Sequence, residues 1–167
     1  MIAGLPPLTF MHTAISLVGV GTGFVVLFAG LLAGQSLPRW TGWFLATTIL
    51  TSVTGFLLPA AHFMPSHAVG ILSLVVLAVA LFALYRKHLS GPWRRTYVIT
   101  ALTALYLNVF VLVAQLFAKV PALKEVAPTQ TELPFKAAQG AVLVAFVVLG
   151  ALAVARFREP APDARAR

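Results

Sequence analysis

Apolar residues along this chain gather into five long runs, 8–33, 43–61, 68–85, 97–118 and 137–155, and nearly every charge falls between them. About 20 predominantly apolar residues are what an α-helix needs to cross the hydrocarbon core of a bilayer. The pattern predicts an all-α membrane protein with five transmembrane helices in a compact bundle. Residues 1–158 form a single transmembrane domain on this reading. Residues 159–167, rich in proline, alanine and charge, form a disordered cytoplasmic tail. The first run does not read as a cleaved signal peptide, because no basic residue precedes it and its apolar stretch far exceeds a signal core.

Composition strengthens the membrane reading. With 60% hydrophobic and 10% charged residues and a mean hydropathy of +0.95, the chain lies far outside the range of water-soluble globules. Its cations then set an orientation. Arg39, Arg86, Lys87, Arg94, Arg95, Arg156, Arg158, Arg165 and Arg167 share one side if the five runs alternate, against Lys119, Lys124 and Lys136 on the other. The positive-inside rule places the N-terminus out and the C-terminus in. Trp40, Trp43 and Trp93 fall at the same positive ends, where an amphipathic indole favours the headgroup layer.

The net charge of +8 forms no separate basic domain or reading motif, which speaks against nucleic acid and for the phospholipid bilayer. Arg86, Lys87, Arg94 and Arg95 flank the Ser90, Gly91, Pro92 turn and are expected to meet anionic headgroups at the cytoplasmic face, each worth roughly 1 kcal/mol. His88 belongs to the same surface.

Chemistry is sparse. With no cysteine, disulfide exchange and thiolate catalysis are excluded. The four acidic residues, Glu125, Glu132, Glu159 and Asp163, all lie in loops or tail, so no carboxylate pair sits in the membrane to support hydrolysis or ion-coupled transport. There is no internal repeat.

Helix faces carry more information. At 100° per residue His12, Ser16, Gly19, Gly23, Gly30 and Gly34 share a stripe about 60° wide, suited to close contact with a neighbouring helix or a second copy. Thr48, Thr51, Gly55 and Leu58 share a face of the second run, whose hydroxyls can return hydrogen bonds to their own backbone. Pro59 and Pro65 end that helix and leave His62 and His67 at the outer surface. In the fourth run Asn108, Gln115 and Lys119 lie within about 40° of one another. Gln139 enters the fifth run from the same side. Sorted by depth, His12, His62, His67, Asn108, Gln115, Lys119 and Gln139 mark a ligand pocket at the outer, periplasmic face. The loop 120–135, stiffened by Pro121, Pro128 and Pro134, could cover it.

Two functions follow. One is a non-catalytic accessory subunit, or a protein that binds a small ligand or lipid. The other is a membrane redox protein that holds haem b or a quinone through its outer histidines, since imidazoles on different helices can ligate haem and three can hold a metal.

The segments Thr51 to Phe56, Tyr106 to Gln115 and Ala127 to Glu132 resemble a family of small bacterial multi-span membrane proteins without an assigned activity. The likeness covers nearly the whole chain and implies a bacterial inner-membrane location. It supplies no reaction or ligand. The tryptophan-rich sensory and translocator proteins share the span number and length, but their Trp-Pro-rich pattern is missing here.

Overall fold

The computed structural model describes residues 6–58 and 65–157, and these form helices without a strand. Six α-helices follow in order: α1 Pro7–Val25, α2 Pro38–Phe56, α3 Pro65–Leu81, α4 Pro92–Lys119, α5 Pro121–Val126 and α6 Leu133–Arg156. Each opens on a proline at its first or second position, Pro134 serving α6. Proline suits that place because the first N–H groups of a helix have no intrahelical acceptor and the ring presets φ. The apolar runs therefore began too late. Helices α2 and α4 start five residues before their runs and α6 four, because an opening turn such as Pro38, Arg39, Trp40 is helical yet not hydrophobic.

Among the described residues, four helices are long and apolar enough to cross a membrane: Pro7–Leu31, Ser66–Arg86, Pro92–Lys119 and Leu133–Arg156. The chain is thus a multi-pass helical membrane protein by length and composition. Helix α2 differs from these four by its hydroxyls. Thr41, Thr47, Thr48, Thr51, Ser52 and Thr54 are all buried, so its polar face turns inward. It ends at Phe56, short of the expected Ala61, which lies with His62 outside the described residues.

Helices α1 to α4 each pack on the next, and α4 closes the ring against α1. Leu27, Phe44, Leu77, Val98 and Leu105 fill the interior of this four-helix bundle. Helix α6 lies outside the ring against α4 and the end of α1, and exposes Val144, Val147 and Val148. In water such a face would aggregate, whereas in hydrocarbon it is the solvated side.

Sequential antiparallel packing gathers the ends of α1, α3 and α6 with the starts of α2 and α4. At this end α1 continues through a π-helical turn, Val26–Leu31, and α3 through another, Phe82–Arg86. Gly34, with φ +67, lets the chain turn away where a side chain would come within 3.1 Å of the Arg156 carbonyl. Among the four cations expected to meet headgroups, two have internal contacts. Lys87 Nζ stands 5.6 Å from the centroids of both Phe82 and Trp93, and Arg94 Nη1 donates to the Val154 carbonyl at 3.3 Å. The second contact places a cation at the negative end of the α6 dipole.

Candidate functional site

The opposite end of the bundle holds a partly open cavity of about 230 Å³, lined by all four ring helices with polar groups set in a mainly apolar wall. Helix α1 supplies His12 and Ser16, α2 Thr51, Ser52 and Gly55, α3 Ser66, His67 and Ser73, and α4 Asn108 and Gln115. Antiparallel packing brings the start of α1 and α3 beside the end of α2 and α4, so residues distant in sequence meet.

Each wall has a local cause. Gly19 allows α1 to close on the cavity floor, since a β-carbon there would lie 3.2 Å from Thr47 Oγ1 and 3.7 Å from Asn108 Nδ2. Asn108, buried, donates from Nδ2 to Thr48 Oγ1 at 3.3 Å and so joins α4 to α2. Ser52 donates to the Thr48 carbonyl at 3.0 Å and lies 3.2 Å from Ser73 Oγ on α3. His67 stacks on Phe56 at 5.6 Å, sealing the outer edge between α2 and α3.

The tautomer of His12 follows from where the Thr54 hydroxyl sends its proton. The Thr54 hydroxyl directs its single proton to the Leu50 carbonyl at 2.7 Å, with the Thr51 carbonyl at 3.3 Å, so toward Nδ1 of His12, 2.9 Å away, it acts as acceptor. The imidazole therefore carries its proton on Nδ1, and Nε2 keeps a free lone pair when the ring is neutral.

The Thr51 hydroxyl is the exception among its neighbours. Thr47, Ser52 and Thr54 all give their protons back to α2 carbonyls, the usual way to place a hydroxyl cheaply in an apolar helix. Thr51 Oγ1 is buried and finds no hydrogen-bond partner among the described residues, although its residue lines the cavity. An unpaired buried hydroxyl costs about 1–3 kcal/mol.

The residues marked in the sequence divide into three groups. His12, Ser16, His67, Asn108 and Gln115 line this cavity. Lys119 and Gln139 do not. Depth alone grouped Gln139 with the others, but it faces a different side of α4, where its Nε2 donates to the Phe110 carbonyl at 3.0 Å and its Oε1 is buried without a partner. His62 lies outside the described residues. In the small-residue stripe, Gly19 and Gly23 meet α2 and α4, whereas Gly30 faces the following loop at Gln35 and Leu37. Among the described residues no three metal-ligating side chains converge.

The loop over this end is ordered by its own bonds. Glu132 accepts from the Thr129 hydroxyl at 2.7 Å and from the amides of Thr129 and Thr131 at 3.2 and 3.0 Å, while Gln130 Nε2 reaches the Ala114 carbonyl of α4 at 2.8 Å.

Of the α3 wall, His67 alone was marked in the sequence. Ser66, Val69, Gly70 and Ser73 recur at helical spacing in an otherwise aliphatic segment, and that stripe of small and hydroxyl residues was the available signal. No family model, curated protein or solved structure matches the chain.

Proposed function

We propose that the chain is a non-catalytic, five-span inner-membrane protein, N-terminus out, that binds the ring-sized polar headgroup of a membrane amphiphile, of quinone type, at its periplasmic face. The observation that carries this reading is the Thr51 hydroxyl, buried beside a cavity without a partner. Such a donor costs stability, and rotation of the Thr51 side chain toward the cavity would let a ligand carbonyl accept from it.

Size and polarity support the same class. The volume of about 230 Å³ exceeds the roughly 150 Å³ that accommodates benzene and falls short of the about 300–1,000 Å³ typical of drug-sized pockets. One substituted ring fits, with its tail left in the bilayer. Thr51 offers a donor to a carbonyl, and His12 Nε2 an acceptor to a hydroxyl, as a quinone and its quinol require. Although α2 is not among the four candidate spans, its buried hydroxyl face leaves Leu50, Val53 and Leu57 outward, which suits a fifth span.

The test is titration of purified protein in nanodiscs with ubiquinone-1, read by calorimetry. Saturable one-to-one binding that weakens about tenfold in Thr51→Val and in Gln115→Leu, both still folded by circular dichroism, is expected. Absence of binding, or equal affinity in all three proteins, overturns the assignment.

A further inference from the structure

We propose a second site: the groove between α4 and α6 holds an acyl chain of an anionic phospholipid, whose phosphate rests on Arg94 and Arg95. It is separate from the polar cavity and independent of what fills it. The groove has a volume of about 550 Å³ and an almost wholly apolar wall, including Leu102, Tyr106, Leu143, Phe146, Gly150 and Val154. Thr103, its one hydroxyl besides tyrosine, already donates to the Ile99 carbonyl at 2.8 Å.

Length identifies the occupant. From Leu143 to Val154 the groove follows α6 for eleven residue steps, about 16 Å at 1.5 Å per residue. That is half of the roughly 30 Å hydrocarbon core, the depth of one leaflet's acyl chain and too short for a spanning partner helix.

Charge identifies the headgroup. The groove ends at Ile99 and Val154, toward the cationic end of the bundle. Arg94 crosses that end to donate to the Val154 carbonyl, using one of its five N–H groups. Arg95 is exposed and stands one turn before Ile99 on the same face of α4. Among the described residues the carboxylates, Glu125 and Glu132, belong to the loop at the opposite end of the bundle. A phosphodiester on the leaflet surface therefore meets two cations, with no carboxylate of the described residues beside them, directly above an apolar channel of its own chain length.

The experiment is native mass spectrometry of the full chain, incubated with equimolar phosphatidylglycerol and phosphatidylcholine of identical chains. Retention of phosphatidylglycerol about tenfold over phosphatidylcholine is expected. Arg95→Gln, which leaves the Arg94 contact intact, should lower the preference, and Arg94→Gln/Arg95→Gln should abolish it. Gly150→Leu should reduce retention of both lipids. A β-carbon at Gly150 meets Leu102 at an ordinary 3.7 Å, and circular dichroism of the variant checks that the fold is kept. Equal retention of the two lipids, unchanged preference in the double variant, or a dimer that forms through this groove and excludes lipid would each overturn the site.

Discussion

Gly23 of α1 lies against the ring of Phe44 on α2 so closely that a β-carbon would sit 2.9 Å from Phe44 Cε2, and 2.5 Å from Leu105 Cδ1 of α4. Both neighbours are almost completely buried, so neither can withdraw. Gly23→Ala is expected to destabilise the bundle by about 1–3 kcal/mol through overpacking. Gly21, two residues away, has open space around it, and Gly21→Ala should leave stability unchanged or slightly raised. Thermal unfolding of both variants in the same detergent checks the contrast, and equal midpoints would refute the close three-helix contact.

Asn108 and Thr48 supply a different kind of bond between α4 and α2. Hydrogen bonds between membrane helices are worth about 0.6 kcal/mol on average, with an upper value near 1.7. A double-mutant cycle of Asn108→Leu and Thr48→Val should return a coupling of that size. A coupling of zero would mean that the amide is satisfied elsewhere.

Position along each helix was legible from sequence, and direction around the bundle was not. Hydropathy located Asn108, Gln115 and Gln139 along their helices, yet only packing decides that Asn108 and Gln115 face the cavity while Gln139, on the outer helix α6, faces the Phe110 carbonyl of α4. The stripe through Gly19 and Gly23 was readable because closeness of helices demands small residues at fixed spacing. The status of Thr51 was not, because a free hydroxyl and a bonded one share the same letter and differ only in rotamer and neighbours. Arg94 and Lys87 looked like plain surface charges for a related reason: the α6 terminus and the Phe82 and Trp93 rings they contact lie in other elements or beyond a turn.

The loop between α5 and α6 carries a pH-dependent clasp. The Thr129 hydroxyl, and behind it the Thr129 and Thr131 amides, hold the Glu132 carboxyl below its usual value of 4.5. A carboxyl depressed in the folded loop contributes its stability fully above 4.5 and loses it as pH falls through the lowered value. The amide resonances of Thr129 and Thr131 should therefore move together with a midpoint below 4.5, and Glu132→Gln should abolish the transition. A midpoint at or above the ordinary value would show that the clasp is not formed in solution.

Thr51 and Thr54, one turn apart on α2, should respond to the same substitution with opposite signs. Valine matches threonine in shape and lacks the hydroxyl. At Thr51 that hydroxyl is buried without a partner, so Thr51→Val removes a desolvation cost and should stabilise the ligand-free protein by about 1 kcal/mol. At Thr54 the hydroxyl joins His12 of α1 to α2, and Thr54→Val should destabilise by about 0.5–1.5 kcal/mol. For a chain of this length each kcal/mol moves the midpoint by about 2–4 °C, enough to separate the variants in thermal unfolding. The opposition in sign isolates the cause, because generic damage to α2 would lower both midpoints alike. If Thr51→Val behaved like Thr54→Val, the hydroxyl would have a partner within the protein, and the cavity would lose the unsatisfied donor that calls for a ligand.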